Sequence, residues 1–134
     1  MNTATDSVRI AIFKQSAPTL FLILAEADDP ANFKLPGGKF DSEDELPEAA
    51  AYRELNEELG LFQEQITLMA ANRLTNRDGV SARYIFACQA AEADIKPSAE
   101  IELTRWVTET DVPEGPNHDH ILSAVAEART RLTT

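Results

Sequence analysis

Three glutamates near the middle of the chain, Glu54, Glu57 and Glu58, have the spacing of one helix face. The segment from Pro47 to Leu59 predicts a helix, because proline suits a first turn, alanine and leucine favour helix, and Gly60 supplies a left-handed stop. Positions i, i+3 and i+4 share one side of a helix, so the three carboxylates are neighbours. Hard oxygen ligands grouped in this way suit a divalent cation.

The same three carboxylates are unfavourable as structure alone. Glu54 and Glu58 form a like-charge i,i+4 pair that costs roughly 0.2–0.5 kcal/mol. Anions in the last turn oppose the helix dipole by roughly 0.3–1 kcal/mol. Local rules are expected to be broken at functional sites, and a bound cation is the simplest compensation. Spacing alone leaves a second interpretation open, a solvated acidic helix face in a generally acidic chain.

The residues on either side of the glutamates extend the pattern. Glu45 lies eight residues before Arg53, and a tight turn, Pro36–Lys39, precedes it. From Glu45 to Leu61 the chain resembles the signature of the Nudix hydrolases, G-x5-E-x7-R-E-U-x-E-E-x-G-U, in which U is an aliphatic residue. The chain departs from that signature once, because six residues rather than five separate Gly38 from Glu45.

The resemblance implies an α/β chain with the Nudix fold, a mixed β-sheet in an α/β/α sandwich, as a single domain over residues 1–134. It also implies a Mg²⁺-dependent pyrophosphohydrolase, for which Mn²⁺ could substitute. In that reaction water attacks phosphorus in a nucleoside diphosphate linked to another moiety, such as a nucleoside triphosphate or a related nucleotide. Cations are needed there because phosphate oxygens repel an incoming nucleophile.

The resemblance also assigns the metal site residue by residue. The turn contributes a backbone carbonyl, and Glu100, six residues before Trp106, is similar to an accessory metal-binding glutamate of MutT-like members. Without the motif, Glu100 and its acidic neighbours would be interpreted as exposed carboxylates that bind no ligand. The metal ligands implied are Glu54, Glu57, Glu58, Gly37, Gly38 and Glu100.

The implied catalytic set consists of Glu54, Glu57 and Arg53. Arg53 matches an arginine that braces the glutamates, although the bare sequence would also allow a solvated surface charge. Family members differ in which glutamate activates the water. The general base therefore stays open between Glu54, Glu57 and Glu100.

Basic and aromatic residues near the box are candidates for substrate binding, although a lone cation is often solvated and a strand aromatic is often core. His118 and His120 lie two residues apart and do not share a helix face, so capping is favoured over metal binding. A substrate-side role for either histidine stays open. The substrate-binding candidates are Lys39, Arg73, Arg83 and Phe33, with Lys34 and Tyr84 as further options.

Composition and charge limit the class of protein. The chain has 134 residues, 43% of them apolar and 26% charged, which suits one globular domain. A net charge of −11 argues against nucleic-acid polymers and anionic membranes as partners, but allows a small phosphorylated molecule bridged by metal ions. The single cysteine, Cys88, is predicted to be a buried thiol. We expect a cytoplasmic protein that neither enters nor spans a membrane, and the sequence leaves a homodimer open.

The remaining sequence predicts the elements that position the site. Asp28–Asn32 is predicted to be a loop, Asn76–Gly79 a hairpin turn and Ala90–Ala99 a loop with Pro97. A last helix should start at an Asn117 cap, with Ile121, Leu122, Val125 and Ala128 on its apolar stripe. The predicted strands are Val8–Phe13, Thr19–Leu24, Ile66–Leu74, Val80–Cys88 and Ile101–Val107.

Two other functions are compatible with a Nudix-like scaffold. A nucleotide-binding module without turnover is disfavoured, because such modules tend to lose the glutamates that are intact here. An isoprenoid diphosphate isomerase relies on cysteine and glutamate acid/base groups, whereas Cys88 falls in an apolar run. The tyrosine or proline markers of dinucleoside-polyphosphate and ADP-ribose subfamilies are missing from Thr75–Gly79. A MutT-like triphosphatase and a hydrolase of sugar nucleotides therefore both stay open.

Overall fold

Two helices lie on opposite faces of a mixed β-sheet in the computed structural model, which describes residues 2–132. Two short 3-10 turns, Glu92–Asp94 and Glu109–Asp111, flank the last strand. The elements are β1 Ser7–Lys14, β2 Ala17–Glu26, β3 Asp29–Lys34, β4 Gly37–Lys39, α1 Pro47–Leu59, β5 Met69–Ala70, β6 Leu74–Thr75, β7 Ala82–Ala90, β8 Ile101–Val107 and α2 His118–Leu132.

Strand β1 occupies the centre of the sheet. It pairs in parallel with β7 from Ser7 opposite Arg83 to Lys14 opposite Ala90, and antiparallel with β2 and β4. Strands β3 and β8 pair with β2, and β5 and β6 pair with β7. The sheet is therefore mixed and mostly antiparallel, and the predicted α/β/α sandwich is confirmed.

Alternation along β1 supplies a core to each face. Val8, Ile10 and Ile12 pack with α1, whereas Ala11 and Phe13 pack with α2. All five side chains are fully buried, as expected for a strand covered on both sides. One central strand therefore fixes the position of both helices relative to the sheet.

Helix α1 spans the residues that the sequence predicts. Ala50, Ala51, Leu55 and Leu59 are buried against the sheet, so the opposite side of the helix is left for polar groups. Gly60 adopts a left-handed φ of 66° and its N–H caps the carbonyl of Asn56 at 3.1 Å. This C-terminal stop fixes where the helix ends, directly after the acidic residues.

The predictions for the first hairpin, the last strand and the last helix are also confirmed. β1 and β2 form the hairpin, and β8 has the bounds Ile101–Val107. The buried face of α2 includes Ile121, Val125 and Ala128, while Leu122 is only partly buried. The carbonyl of Asn117 accepts the N–H of Ile121, and its side-chain amide donates to the carbonyl of Phe33.

Two strand predictions are wrong in detail. The run Ile66–Leu74 contains only the two-residue strand β5 and the first residue of β6, because the exposed Asn72 and Arg73 interrupt pairing with β7. The strand predicted at Val80 begins at Ala82 instead, since Val80 belongs to the turn that Asp78 stabilises through hydrogen bonds to the N–H groups of Val80 and Ser81.

The predicted loop Asp28–Asn32 is also wrong. Residues Asp29–Lys34 form β3, which pairs antiparallel with β2. Pro30 is tolerated there because β3 lies at the edge of the sheet, where a strand needs no hydrogen bond on its outer side. The expectation that this segment leads into the glycine turn still applies, since β4 starts at Gly37.

Cys88 is a buried thiol, as predicted. Its exposed fraction is zero, and burial raises the pKa of the thiol to about 12. None of the helices within residues 2–132 has the length and apolar character needed to cross a membrane.

The glycine turn depends on close approach between strands. Gly37 has a φ of 139°, and a Cβ atom there would lie 2.1 Å from the main-chain oxygen of Val8. A Cβ atom at Gly38 would lie 2.8 Å from Oε1 of Glu54. The absence of side chains lets β4 pass between the central strand and the acidic helix.

We expect Gly37→Ala to lower the free energy of unfolding by about 2–5 kcal/mol, because it combines an unfavourable φ with a clash against fixed backbone. Gly79→Ala is the matched control. Gly79 has a φ of 71° but nothing within 4 Å of an added Cβ, so only the conformational cost of about 1–2 kcal/mol applies. Urea denaturation measures both, and equal losses in the two variants would contradict the role of close packing at Gly37.

Candidate active site

Arg53 holds the acidic residues of α1 in place. Its Nε and Nη2 donate to the two carboxylate oxygens of Glu45 at 2.8 and 3.0 Å. Its Nη1 donates to Glu54 at 2.9 Å and to Glu57 at 3.3 Å. Nη2 also donates to the carbonyl of Lys39 at 3.1 Å. One guanidinium group therefore links the loop before α1, the helix and the end of the glycine turn.

The charged groups in this cluster shift one another's pKa values. The Arg53 guanidinium holds the pKa of Glu45 below its usual range, despite partial burial. Hydrogen bonds to Glu45 in turn raise the pKa of Arg53. For Glu54 the largest effect is burial, which raises the pKa of the carboxyl although Arg53 opposes the shift. Among the ion pairs of Arg53 that the structure describes, the contact with Glu45 is the one in which both carboxylate oxygens accept a hydrogen bond.

Glu58 is the most buried carboxyl group of the helix, with 4% of its surface exposed. Its Oε1 accepts a hydrogen bond of 2.9 Å from the N–H of Gly37. Burial raises the pKa of Glu58 to about 7, and the Gly37 hydrogen bond opposes that rise. The bond joins the end of α1 to the start of β4, so the acidic face and the glycine turn form one surface.

The donor chemistry of this surface fits a hard divalent cation. Glu54, Glu57 and Glu58 supply carboxylate oxygens from one helix, and the carbonyls of Gly37 and Gly38 lie in the turn that Glu58 contacts. Across residues 2–132 no three His, Cys, Asp or Glu side chains are already grouped as metal ligands. The reason is local, since Glu54 and Glu57 are directed to Arg53 and Glu58 to Gly37.

Glu100 lies on the loop that is hydrogen-bonded to the C-terminal end of α1. The N–H of Ser98 donates to the carbonyl of Glu58 at 2.9 Å, and the Glu100 carbonyl accepts the N–H of Ala27 at 2.8 Å. The residue itself is exposed. Its position at the C-terminal end of the acidic helix is compatible with the predicted accessory role.

The candidates for substrate binding separate into two groups. Lys39 is exposed at the end of β4, and Arg73 is exposed, with its Nη1 3.5 Å from the Tyr84 hydroxyl. Tyr84 packs on the α1 side, edge to face with Phe40 at 5.7 Å. Phe33 lies beneath the guanidinium group of Arg105, 4.8 Å from the ring centre.

Arg83 and Lys34 belong instead to a cavity of about 270 Å³ whose wall includes Ile121 of α2, which we call the α2 pocket. Arg9 also lines it, and sequence reasoning missed this residue. The signal was present, because Arg9 is the only charged residue within the apolar run Val8–Phe13. Other polar residues of its wall are Ser7, Asn76, Asn117 and His120.

The two histidines have separate environments. Nδ1 of His118 lies 3.1 Å from Asp119, and no metal-binding group forms around it within residues 2–132. His120 lines the α2 pocket, where burial lowers its pKa and the positive charge of Arg83 lowers it further. Of the two histidines, His120 is therefore the candidate for the substrate-side role that the sequence leaves open.

The fold and the acidic helix define a Nudix domain, and the family model of that description matches residues 3–125. The chain belongs to the Nudix hydrolase family.

The relatives of this chain are named for different substrates. "Putative 8-oxo-dGTP diphosphatase 3" of Mycobacterium tuberculosis is 33% identical over 105 residues, which are 75% of this chain and 48% of that protein. The chain thus spans about half the length of the curated relatives it matches. Among solved structures, an Ap4A hydrolase from C. elegans superposes with a TM-score of 0.73 at 20% identity, covering 96% of this chain and 98% of that one. The dihydroneopterin triphosphate pyrophosphohydrolase of E. coli has a TM-score of 0.70 at 22% identity, covering 96% and 99%.

We expect Glu58→Gln to stabilise the protein in EDTA at pH 8 and to have little effect at pH 5. The pKa of Glu58 is raised to about 7 from 4.5, so its stabilising protonated form is present at low pH and is lost as pH rises through about 7. Glutamine keeps an acceptor for Gly37 N–H and needs no proton, which should give about 1–3 kcal/mol at pH 8. Urea titrations of both proteins measure the difference, and a gain independent of pH would refute the assignment.

Proposed function

We propose that this protein is a Mg²⁺-dependent pyrophosphohydrolase that cleaves a nucleoside diphosphate linked to another moiety. The observation that carries the proposal is the position of Glu54, Glu57 and Glu58 on one helix face, held by Arg53 and by the glycine turn. Membership of the Nudix hydrolase family supports it. The names of the three relatives described above all refer to compounds with linked phosphate groups.

The metal site would consist of Glu54, Glu57 and Glu58 with a carbonyl of Gly37 or Gly38, and Glu100 as an accessory ligand. Held by these residues, Mg²⁺, or Mn²⁺ in its place, would supply charge neutralisation and Lewis-acid polarisation of the phosphate. Glu57 can turn to such an ion most easily, because its bond to Arg53 is the longest of the cluster at 3.3 Å and 51% of its side chain is exposed.

Arg53 and the helix glutamates then perform separate tasks. Arg53 fixes the orientation of Glu54 through a short ion pair, while its bidentate bond to Glu45 prevents it from rotating away. Glu57 is the better placed of the two catalytic candidates to take a proton from the attacking water, since Glu54 is only 12% exposed and bonded more tightly to Arg53. Lys39, at the exposed end of the glycine turn, can contact a phosphate oxygen of the substrate.

The two competing functions find less support. A silent binding module has no need of three crowded carboxylates, and all three are retained. An isomerase that uses a cysteine acid would need that group to reach its substrate, whereas Cys88 has no exposed surface and a pKa raised to about 12 by burial. Hydrolysis is therefore the function that this set of residues favours.

Several further properties complete the proposal. The partner is a small nucleotide or a related phosphorylated molecule rather than a nucleic-acid polymer, given the net charge of −11. Residues 1–134 would act as one Nudix domain. Location in the cytoplasm and assembly as a homodimer stay predictions from the sequence.

We expect Glu57→Gln to reduce kcat by about 10²-fold or more in a nucleotide substrate screen with Mg²⁺, because the amide can neither take a proton nor ligate the ion as a carboxylate does. Glu48→Gln provides the matched control. Glu48 lies in the first turn of the same helix and is exposed, so its loss should leave kcat within about twofold. Far-UV circular dichroism checks that both variants fold, and full activity of Glu57→Gln would remove the catalytic assignment.

A further inference from the structure

The α2 pocket is a basic cavity in an acidic protein. Arg9, Lys34 and Arg83 line it, and its wall contains no aspartate or glutamate. The whole chain has 23 acidic and 12 basic residues, so three cations in one cavity without a carboxylate differ sharply from the average surface. Lys34 forms an ion pair with Glu26. Arg9 and Arg83 form no such contact within residues 2–132, although Glu58, Glu54 and Glu26 act on Arg9 electrostatically from a greater distance.

The two guanidinium groups have few partners. Within the part of the chain that the structure describes, the hydrogen-bond acceptors of Arg9 and Arg83 are main-chain carbonyls, of Leu35 at 3.0 Å and of His120 at 3.3 Å. Nε of Arg83 is a buried donor with no hydrogen-bond partner. Burial lowers the pKa of Arg83, and the positive charge of Arg9 lowers it further, so the two groups repel each other. An anionic ligand between them would remove both penalties.

Neighbouring polar groups favour the same type of ligand. Asn117 and His120 place the first turn of α2 in the wall of the pocket, where the positive end of the helix dipole favours an anion. Burial and nearby arginines lower the pKa of His120, so it adds a neutral hydrogen-bonding group. Asn76, on the other side, donates one amide N–H to Ser81 Oγ at 2.8 Å and has a second N–H for a ligand.

The wall of the α2 pocket has an apolar part, Leu35 and Ile121, but it offers no aromatic ring to a base, whereas its arginines suit a phosphoryl group. Proteins commonly hold unpaired bases by stacking them on aromatic rings. No Phe, Tyr or Trp lines the α2 pocket, since the ring of Phe33 is covered by Arg105 and Tyr84 packs with Phe40 on the other face of the sheet. Guanidinium groups match the planar, bidentate geometry of phosphate oxygens.

The α2 pocket and the glycine turn of the candidate active site involve neighbouring strands, β1 and β4. Arg9 is the register partner of Gly37, and Ser7 is the partner of Lys39, so two residues of the pocket wall lie across one strand pair from the glycine turn. A ligand long enough to pass around the three-residue strand β4 would contact the turn with its diphosphate and the pocket with its other end.

We propose that the α2 pocket binds a second phosphoryl group, carried by the end of the substrate away from the diphosphate that is cleaved. This inference rests on the proposed function and deepens it, because it selects substrates that carry a further phosphate on the nucleoside. Arg83 and Arg9 are the residues that recognise this group.

Matched pairs of compounds test the proposal. NADPH differs from NADH, and coenzyme A from dephospho-coenzyme A, by one ribose phosphate. Binding is measured by titration calorimetry in EDTA, and kcat/KM is measured separately with Mg²⁺. For at least one pair we expect the phosphorylated member to bind at least about tenfold more tightly. Arg83→Gln should reduce this ratio to within about twofold of one, with the affinity for the dephosphorylated member unchanged.

Arg77→Gln is the matched control for nearby charge, because Arg77 is exposed beside Asn76 and acts on His120 electrostatically but is not part of the pocket wall. It should keep the preference. Equal binding of both members of each pair, inorganic phosphate binding alone, or the same loss in Arg77→Gln as in Arg83→Gln would overturn the proposal. If 8-oxo-dGMP binds more tightly than NADPH and coenzyme A do, and Arg83→Gln loses that binding, the pocket is a site for a base and the proposal is overturned.

The two proposals fail in different ways. If no compound is hydrolysed with Mg²⁺ but the binding preference is present in EDTA, the hydrolase proposal fails and the phosphate site is supported. If hydrolysis occurs without any preference within either pair, the pocket assignment fails and the hydrolase proposal is untouched.

Discussion

The hydrogen bond from Gly37 N–H to the buried carboxyl of Glu58 is the contact on which the geometry of the candidate site depends. It joins residues 21 positions apart in the chain and connects the end of α1 to the start of β4. Only glycine permits it, because any side chain at position 37 would meet the carbonyl of Val8 in the central strand. The position of the acidic helix is therefore defined by a hydrogen bond from the backbone of β4 to the Glu58 side chain as well as by apolar packing.

Arg53 solves a second problem, the crowding of negative charge. Four of its contacts are to carboxylates of Asp41, Glu45, Glu54 and Glu57, at 2.8 to 3.3 Å. Without a countercharge, the like-charge pairs on one helix face and their position near the negative end of the dipole would destabilise α1. Arginine suits this position because its planar fork can donate to several oxygens at once, whereas a lysine presents a single point charge. The extra residue before Glu45 does not prevent the bidentate contact, since the loop still delivers Glu45 to Arg53.

The sequence predicted best those features that depend on local patterns. The bounds of α1 follow from Pro47 and Gly60, and those of β8 follow from an alternating run, so both were predicted to the residue. The predictions were wrong where pairing with neighbouring strands decides whether a segment becomes a strand. Ile66–Leu74 is apolar enough for a strand, but β7 forms strand pairs there only with the short strands β5 and β6. Pro30 is compatible with β3 only because that strand lies at an edge. The α2 pocket could not be predicted, since residues from β1, β3, β7 and α2 meet there only in the folded chain.

Charge separation across the sheet links these observations. The α1 side carries the carboxylates, and the α2 side carries Arg9 and Arg83, with β1 between them. The acidic groups Glu58 and Glu54 act on Arg9 through the sheet, opposing the effect of burial on its pKa. A ligand that carries both bound cations and free phosphate oxygens is complementary to such a surface, because each half of the ligand meets the opposite charge. An anion without a cation would be repelled by α1, and a cation alone would find no partner at the α2 pocket. The two charged regions therefore favour a phosphorylated ligand long enough to reach both.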